Sequence, residues 1–74
     1  MTKYEYGYAT FNSGRILIET YIDGIFHEAG FANAESLELE KIGLDMEGYV
    51  YSDECTTKVK KRIEDYERRK PHYI

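Results

Sequence analysis

The sequence predicts an α+β domain, and three observations carry that prediction. Two-residue alternation of side-chain character runs through residues 3–11 and again through 15–22. An Asp23-Gly24 pair stands directly between Ile22 and Ile25, and the last third draws an apolar stripe at helical spacing that stops at Pro71. Period 2 followed by period 3.6 in a chain of 74 residues leaves room for one small domain, 1–74, with one modest core.

The first strand places Tyr4, Tyr6, Tyr8 and Thr10 on one side and Glu5, Gly7, Ala9 and Phe11 on the other. Asn12-Ser13-Gly14 supplies turn chemistry, and the second strand then alternates Ile16, Ile18, Thr20 and Ile22 against Leu17, Glu19 and Tyr21. Alternation leaves two registers open for this hairpin. A loop of two or four residues sends Gly7, Ala9 and Phe11 to the isoleucine face, whereas a loop of three sends the tyrosines there.

Asp23-Gly24 is the signature of a two-residue type I′ turn, which pairs Ile22 with Ile25. Continued without interruption, that register sets Thr20 opposite His27, Ile18 opposite Ala29 and Ile16 opposite Phe31. The expected product is a three-stranded antiparallel meander over residues 3–31, with Tyr21, Phe26, Leu17, Glu19 and Glu28 on the face opposite the isoleucines.

Residues 33–44 fit a short helix capped by Asn33 and ending at Gly43, although Leu37 and Leu39 alone also fit a strand. The helix is the preferred assignment. Gly48-Tyr49-Val50-Tyr51 reads as a short strand, over 48–52, and Ser52 or Asp53 offers the next N-cap. From Asp53 to Lys70, Cys55, Val59, Ile63 and Tyr66 fall at spacings of 4, 4 and 3, a narrow stripe that packs a C-terminal helix onto the sheet.

Charge is sorted along the chain. Residues 1–54 hold eleven acidic groups against three basic ones, a net of −8, while residues 55–74 hold seven basic groups against three acidic ones, a net of +4. The lone Cys55 forms no internal disulfide, no apolar run approaches the length of a membrane helix, and the first residues do not read as a signal peptide. A cytoplasmic, reduced protein with no membrane partner is expected.

The basic run Lys58, Lys60, Lys61 and Arg62, continued by Arg68 and Arg69, is a candidate nucleic-acid-binding helix, because neighbouring cations on one face release phosphate counterions together. A plainer account is available. Lys60 with Glu64, Lys61 with Asp65, Glu64 with Arg68 and Asp65 with Arg69 stand at i, i+4 and fit helix-surface ion pairs of about 0.2 to 0.5 kcal/mol each. The acidic set Glu35, Glu38, Glu40, Asp45 and Glu47, with Asp53 and Glu54, has few cations near it and is a candidate surface for a basic partner. Tyr4, Tyr6, Tyr8 and Tyr21 are candidate contact residues beside it, since tyrosine gives rigid area and a hydroxyl that accepts either water or a partner. Their plainer role is to cover the hydrophobic side of a small sheet.

No catalytic, metal or cofactor apparatus is expected. His27 and Glu28 are neighbours in a strand and point to opposite faces, His72 stands far along the chain, and the glycines form no phosphate loop. His27 reads as a half-buried core residue and Cys55 as a packing residue. A small, acidic, tyrosine-rich domain of this kind resembles, in composition, the class of phage and mobile-element proteins that inhibit host enzymes, including anti-CRISPR proteins and DNA mimics. That resemblance implies a non-enzymatic inhibitor or adaptor that occludes a basic surface on a host nucleic-acid-handling or defence protein. A nucleic-acid-binding regulator using the C-terminal helix is the rival reading, and a subunit of a homodimer or larger homo-oligomer is a third.

Overall fold

The computed structural model describes residues 1–69; the expectations that fall on Lys70, Pro71 and His72 lie outside them. Strands β1 (Tyr4–Thr10), β2 (Ile16–Ile22) and β3 (Ile25–Ala32) form the antiparallel meander, and β4 (Val50–Tyr51) joins β1 in parallel to give the order β3-β2-β1-β4. Helices α1 (Leu37–Met46) and α2 (Asp53–Arg69) lie on opposite faces of this sheet.

The first hairpin closes with the Phe11 amide on the Arg15 carbonyl at 2.8 Å, leaving Asn12, Ser13 and Gly14 as its loop. Gly14 takes φ 96°, the left-handed conformation a three-residue hairpin needs. Tyr8 consequently stands opposite Ile18 and Tyr6 opposite Thr20, so the tyrosines share the isoleucine face. The second hairpin is the expected type I′ turn, with both Asp23 and Gly24 at positive φ and Ile22 paired with Ile25.

The expected register of β2 against β3 fails two residues later. Tyr21 pairs with Phe26, but Thr20 pairs with Glu28, so His27 is the extra residue of a β-bulge. Beyond it Ile18 meets Gly30, Leu17 meets Phe31 and Ile16 meets Ala32. Glu28 therefore joins the isoleucine face, while Ala29 and Phe31 cross to the other. His27 is exposed rather than half-buried. The bulge is tolerated because β3 is an edge strand, with a single neighbour to fall out of step with.

Each helix is fixed by a different device. At the start of α2, Ser52 Oγ accepts the Cys55 amide, and Gly7 on β1 admits the first turn so closely that a Cβ there would lie 2.3 Å from the Thr56 nitrogen. The Tyr8 amide donates to Thr56 Oγ1 at 3.2 Å, and Cys55, Val59 and Ile63 bury the expected stripe against a face holding Leu17, Ala9 and Phe11. Tyr66, the last residue of that stripe, remains exposed at its edge and meets Phe11 edge-on at 5.7 Å.

Asn33 is not the cap of α1 as expected: Ser36 takes the N-cap position and Asn33 closes the turn before it, while the helix runs further at its other end than the sequence implied. The Ser36 amide donates to Asn33 Oδ1 and the Asn33 amide to Ser36 Oγ, a reciprocal box that opens one turn ahead of α1. The helix passes through Gly43 and stops at Gly48, where the Tyr49 amide on the Leu44 carbonyl and the Gly48 amide on the Asp45 carbonyl complete a Schellman motif. Leu37 and Leu44 lean on the cluster of Tyr6, Ile16, Ile18 and Ala32, yet no residue of α1 is fully buried.

Candidate protein-binding surface

The fold sorts the four candidate tyrosines unequally. Tyr6 and Tyr21 are each only 3 % exposed and belong to the interior, which removes both from any contact surface. Their positions explain this: Tyr6 sits on a central strand beneath α1, and Tyr21 faces α2 on the other side. Burial raises the phenol pKa of both above the usual 10, and for Tyr21 a hydrogen bond to Glu19 adds to it. Tyr8 is half-buried, with the Lys41 ammonium 5.4 Å above its ring. Tyr4 is exposed and meets Tyr49 edge-on at 5.5 Å. Tyr51, which sequence reasoning passed over, is exposed beside Tyr6 and Tyr8, because parallel pairing of β4 brings it onto the tyrosine face.

The acidic candidates come together on and around α1. Glu38, Glu40, Asp45 and Glu47 are exposed there, with Glu35 just ahead, and among the described residues only Glu38 has an ion-pair partner, Lys41 at 3.6 Å. Between these carboxylates α1 exposes Leu39 (72 %), Ile42 and Met46 (83 %) at spacings of 3 and 4. This outward apolar seam had a legible signal, since Leu39, Ile42 and Met46 follow helical spacing. It was missed because Leu37 and Leu39 were weighed against a strand.

The basic helix is arranged differently from the expected chain of i, i+4 pairs. None of the four expected side-chain pairs forms. Asp65 instead takes Arg68 at i, i+3, 3.5 Å away, and Arg69 Nε donates to its backbone carbonyl at 3.4 Å. Pairs worth a few tenths of a kcal/mol do not hold long exposed side chains in one rotamer. Arg62 is tied to the fold, although its side chain stays about half exposed. Its Nε lies 2.5 Å from Glu19 Oε2, and its guanidinium stands 5.6 Å over the Phe26 ring. Lys58 similarly covers Tyr21, at 4.8 Å. Lys60 and Lys61 make no salt bridge among the described residues.

Glu19 is the residue the sequence least prepared for. It is 1 % exposed at the centre of β2, accepts the Tyr21 hydroxyl at 2.7 Å and is capped by Arg62, so no polar side-chain atom is left without a partner beneath α2. The Tyr21 hydroxyl foremost, with Glu19 behind it, holds the Arg62 guanidinium above its ordinary range. A lone acid between Leu17 and Tyr21 on an inward strand position was the available signal, but its partner lies 43 residues further on.

Among the described residues no cluster of three or more His, Cys, Asp or Glu side chains is placed to hold a metal ion, and no helix is long and apolar enough to cross a membrane. No protein-family model matches the chain, and neither a curated protein nor a solved structure is significantly similar to it. The surface therefore has to be read from its own chemistry. What that chemistry offers is contact: apolar side chains ringed by carboxylates on a helix that its own fold hardly covers.

Proposed function

We propose that this protein is a non-enzymatic binding module that captures a partner protein with a basic surface, acting as an inhibitor or adaptor of a nucleic-acid-handling or defence enzyme. This is the mode of action implied by its resemblance in composition to phage-encoded anti-CRISPR proteins and DNA mimics, and host cytoplasm is the setting that goes with it. The observation that carries the proposal is α1: Leu39, Ile42 and Met46 stand in solvent, ringed by Glu35, Glu38, Glu40, Asp45 and Glu47, with Lys41 the sole cation on the helix. Exposed apolar area gives a partner something to bury, and uncompensated carboxylates steer and select a basic one. Tyr4 and Tyr51 extend the contact area at the sheet end. The mechanism is occlusion, with the captured cations no longer available to a phosphate backbone.

The test is affinity capture from a host lysate with the native protein and E38K/E40K/E47K. Capture is expected to fall at least tenfold in the variant while its thermal unfolding midpoint stays within a few degrees of native. Unchanged capture rejects the acidic surface.

One observation favours a second reading. Lys60 and Lys61, which the sequence had paired along α2, have no ion-pair partner among the described residues, and Lys61 shares a stretch of surface with Lys58 and Arg69. A nucleic-acid site there predicts salt-sensitive binding of DNA or RNA that K58Q/K60Q/K61Q abolishes. Absence of binding by the native protein at low salt removes this reading.

A further inference from the structure

The isoleucine face of the sheet is only partly roofed. α1 rests on the side of Tyr6 and Tyr8 and leaves a groove of about 440 Å³ between itself and β3. Ile18 and Thr20 form its floor, Glu28 and Gly30 belong to one wall, and Leu39, Gly43 and Leu44 to the other. Glu28, Glu40 and Glu47 line the groove as well, and among the described residues no lysine or arginine does.

Two glycines in these walls have no reason within the chain. Gly7 is required by the approach of α2, and Gly14, Gly24 and Gly48 occupy turns at positive φ. Gly30 and Gly43 do neither: their φ values are not positive, and among the described residues a Cβ added to either would meet nothing within 4 Å beyond its chain neighbours and, for Gly43, the backbone of its own helix. Glycine inside a strand or helix weakens that element relative to alanine, so each position forgoes stability and leaves open space in return. Both spaces open into the same groove.

We infer that this groove receives a helix of the partner protein, an amphipathic segment that packs an apolar side chain on Ile18 and Leu44 and reaches Glu28, Glu40 and Glu47 with lysine or arginine. The inference rests on the acidic-surface reading above and narrows it to one site. The occupant is helical because the floor belongs to β2, which is paired on both sides, and the flank of α1 offers no free backbone group, so a chain lying over Ile18 must satisfy its own; of these elements only the outer edge of β3 is open to a strand. It is basic because three carboxylates stand there without a cation. A second copy of this chain fits poorly, since α1 would bring the same carboxylates and α2 has its apolar stripe buried against its own sheet. At Gly30 and Gly43 the partner backbone comes close, as helices do over small residues.

The test uses a synthetic 18-residue helical peptide with leucines on one face and lysines flanking them, and a control peptide with glutamates in place of the lysines. Titrated into the isotopically labelled protein, the lysine peptide is expected to shift the Gly30, Gly43 and Ile18 amide resonances saturably, and the glutamate peptide to leave them in place. G43L and G30V fill the groove without touching any charge, and each is expected to weaken the lysine peptide at least tenfold while keeping native-like dispersion elsewhere in the spectrum. Equal binding by both variants, or shifts confined to α2, overturns the inference. A concentration-dependent dimer by light scattering, with the same groove amides shifted, overturns it in favour of a second copy. If E38K/E40K/E47K loses the peptide while G43L and G30V retain it, acidic capture stands and the groove falls; if all retain it, both fall.

Discussion

The two helices cover one sheet in opposite ways. α2 is locked down: its first turn sits in the space left by Gly7, Val59 is fully buried, and the Glu19–Arg62 pair ties its middle to the centre of β2. α1 is only leaned against its face, with Leu37 and Leu44 partly buried, no fully buried residue, and a groove beside it. A chain this small has apolar area for one well-made interface. This one closes the face that organises the fold and leaves the other, with its carboxylates and its apolar seam, available for contact. The charge division of the sequence maps onto the same contrast, with basic α2 spending Arg62 and Lys58 on the fold and acidic α1 spending little.

The largest test of that contrast is Gly7→Val. The added carbon would collide with backbone at Thr56, where no rotamer relieves it, so α2 must lift; the expected loss is about 3 kcal/mol or more, read as a drop in the urea midpoint or outright unfolding. Filling an equivalent glycine on the other side, Gly43→Ala, is expected to raise stability by about 0.5 to 1 kcal/mol. If Gly7→Val folds normally, α2 is not seated as described.

Next in size is the buried carboxylate. Arg62→Leu strands Glu19 beneath the helix, and the expected destabilisation is about 1 to 3 kcal/mol, toward the lower end because the guanidinium is itself half exposed. Adding Glu19→Leu to that variant is expected to restore most of the loss. A double variant no better than the single one means that the pair does not couple α2 to the sheet.

How far the sequence revealed these features depended on whether a local pattern could see them. The meander, the Asp23-Gly24 turn and the stripe of Cys55, Val59 and Ile63 were legible because period 2, period 3.6 and turn chemistry are properties of neighbouring residues. The register of the first hairpin was not, because alternation reads the same in either register and the choice lay in whether the loop held three residues. The bulge at His27 left no local trace either. It moved Phe31 off the isoleucine face and Glu28 and Gly30 onto it, and with these two one wall of the groove. Arg62 looked like a member of a basic surface, and only the three-dimensional fold brings it to Glu19. On the acidic side, the sequence found the carboxylates around α1 but misjudged which tyrosines accompany them, since Tyr6 and Tyr21 are interior and Tyr51 is at the surface.

Alkaline titration gives a smaller but separate handle. Tyr6 and Tyr21 are held above the usual phenol value of about 10 when folded, so their protonated forms favour the native state. That contribution is complete below about pH 10 and is lost as the pH climbs through the raised folded values. In tyrosinate absorbance Tyr6 and Tyr21 are expected to ionise late, as the fold opens, and Tyr6→Phe and Tyr21→Phe remove only that late part. A single early transition for all tyrosines contradicts the burial of those two.

The smallest expected effects belong to the open face. Leu39→Gln and Met46→Gln expose nothing new and are expected to shift stability by no more than about 0.5 kcal/mol in either direction, whereas Val59→Gln abolishes folding. Large destabilisation by either of the first two substitutions places α1 in the core and erases the asymmetry.

Amide hydrogen exchange, with and without the lysine-bearing helical peptide, tests the central claim most directly. In the unbound protein, Val59 to Ile63 of α2 and the β1–β2 ladder are expected to exchange at the rate of global unfolding, and Leu39 to Met46 of α1 to exchange through easier local opening. On addition of the peptide, protection is expected to rise across α1 and β3 and to stay constant in α2. Protection that rises instead over Lys58 to Arg62, with α1 unaffected, contradicts the account.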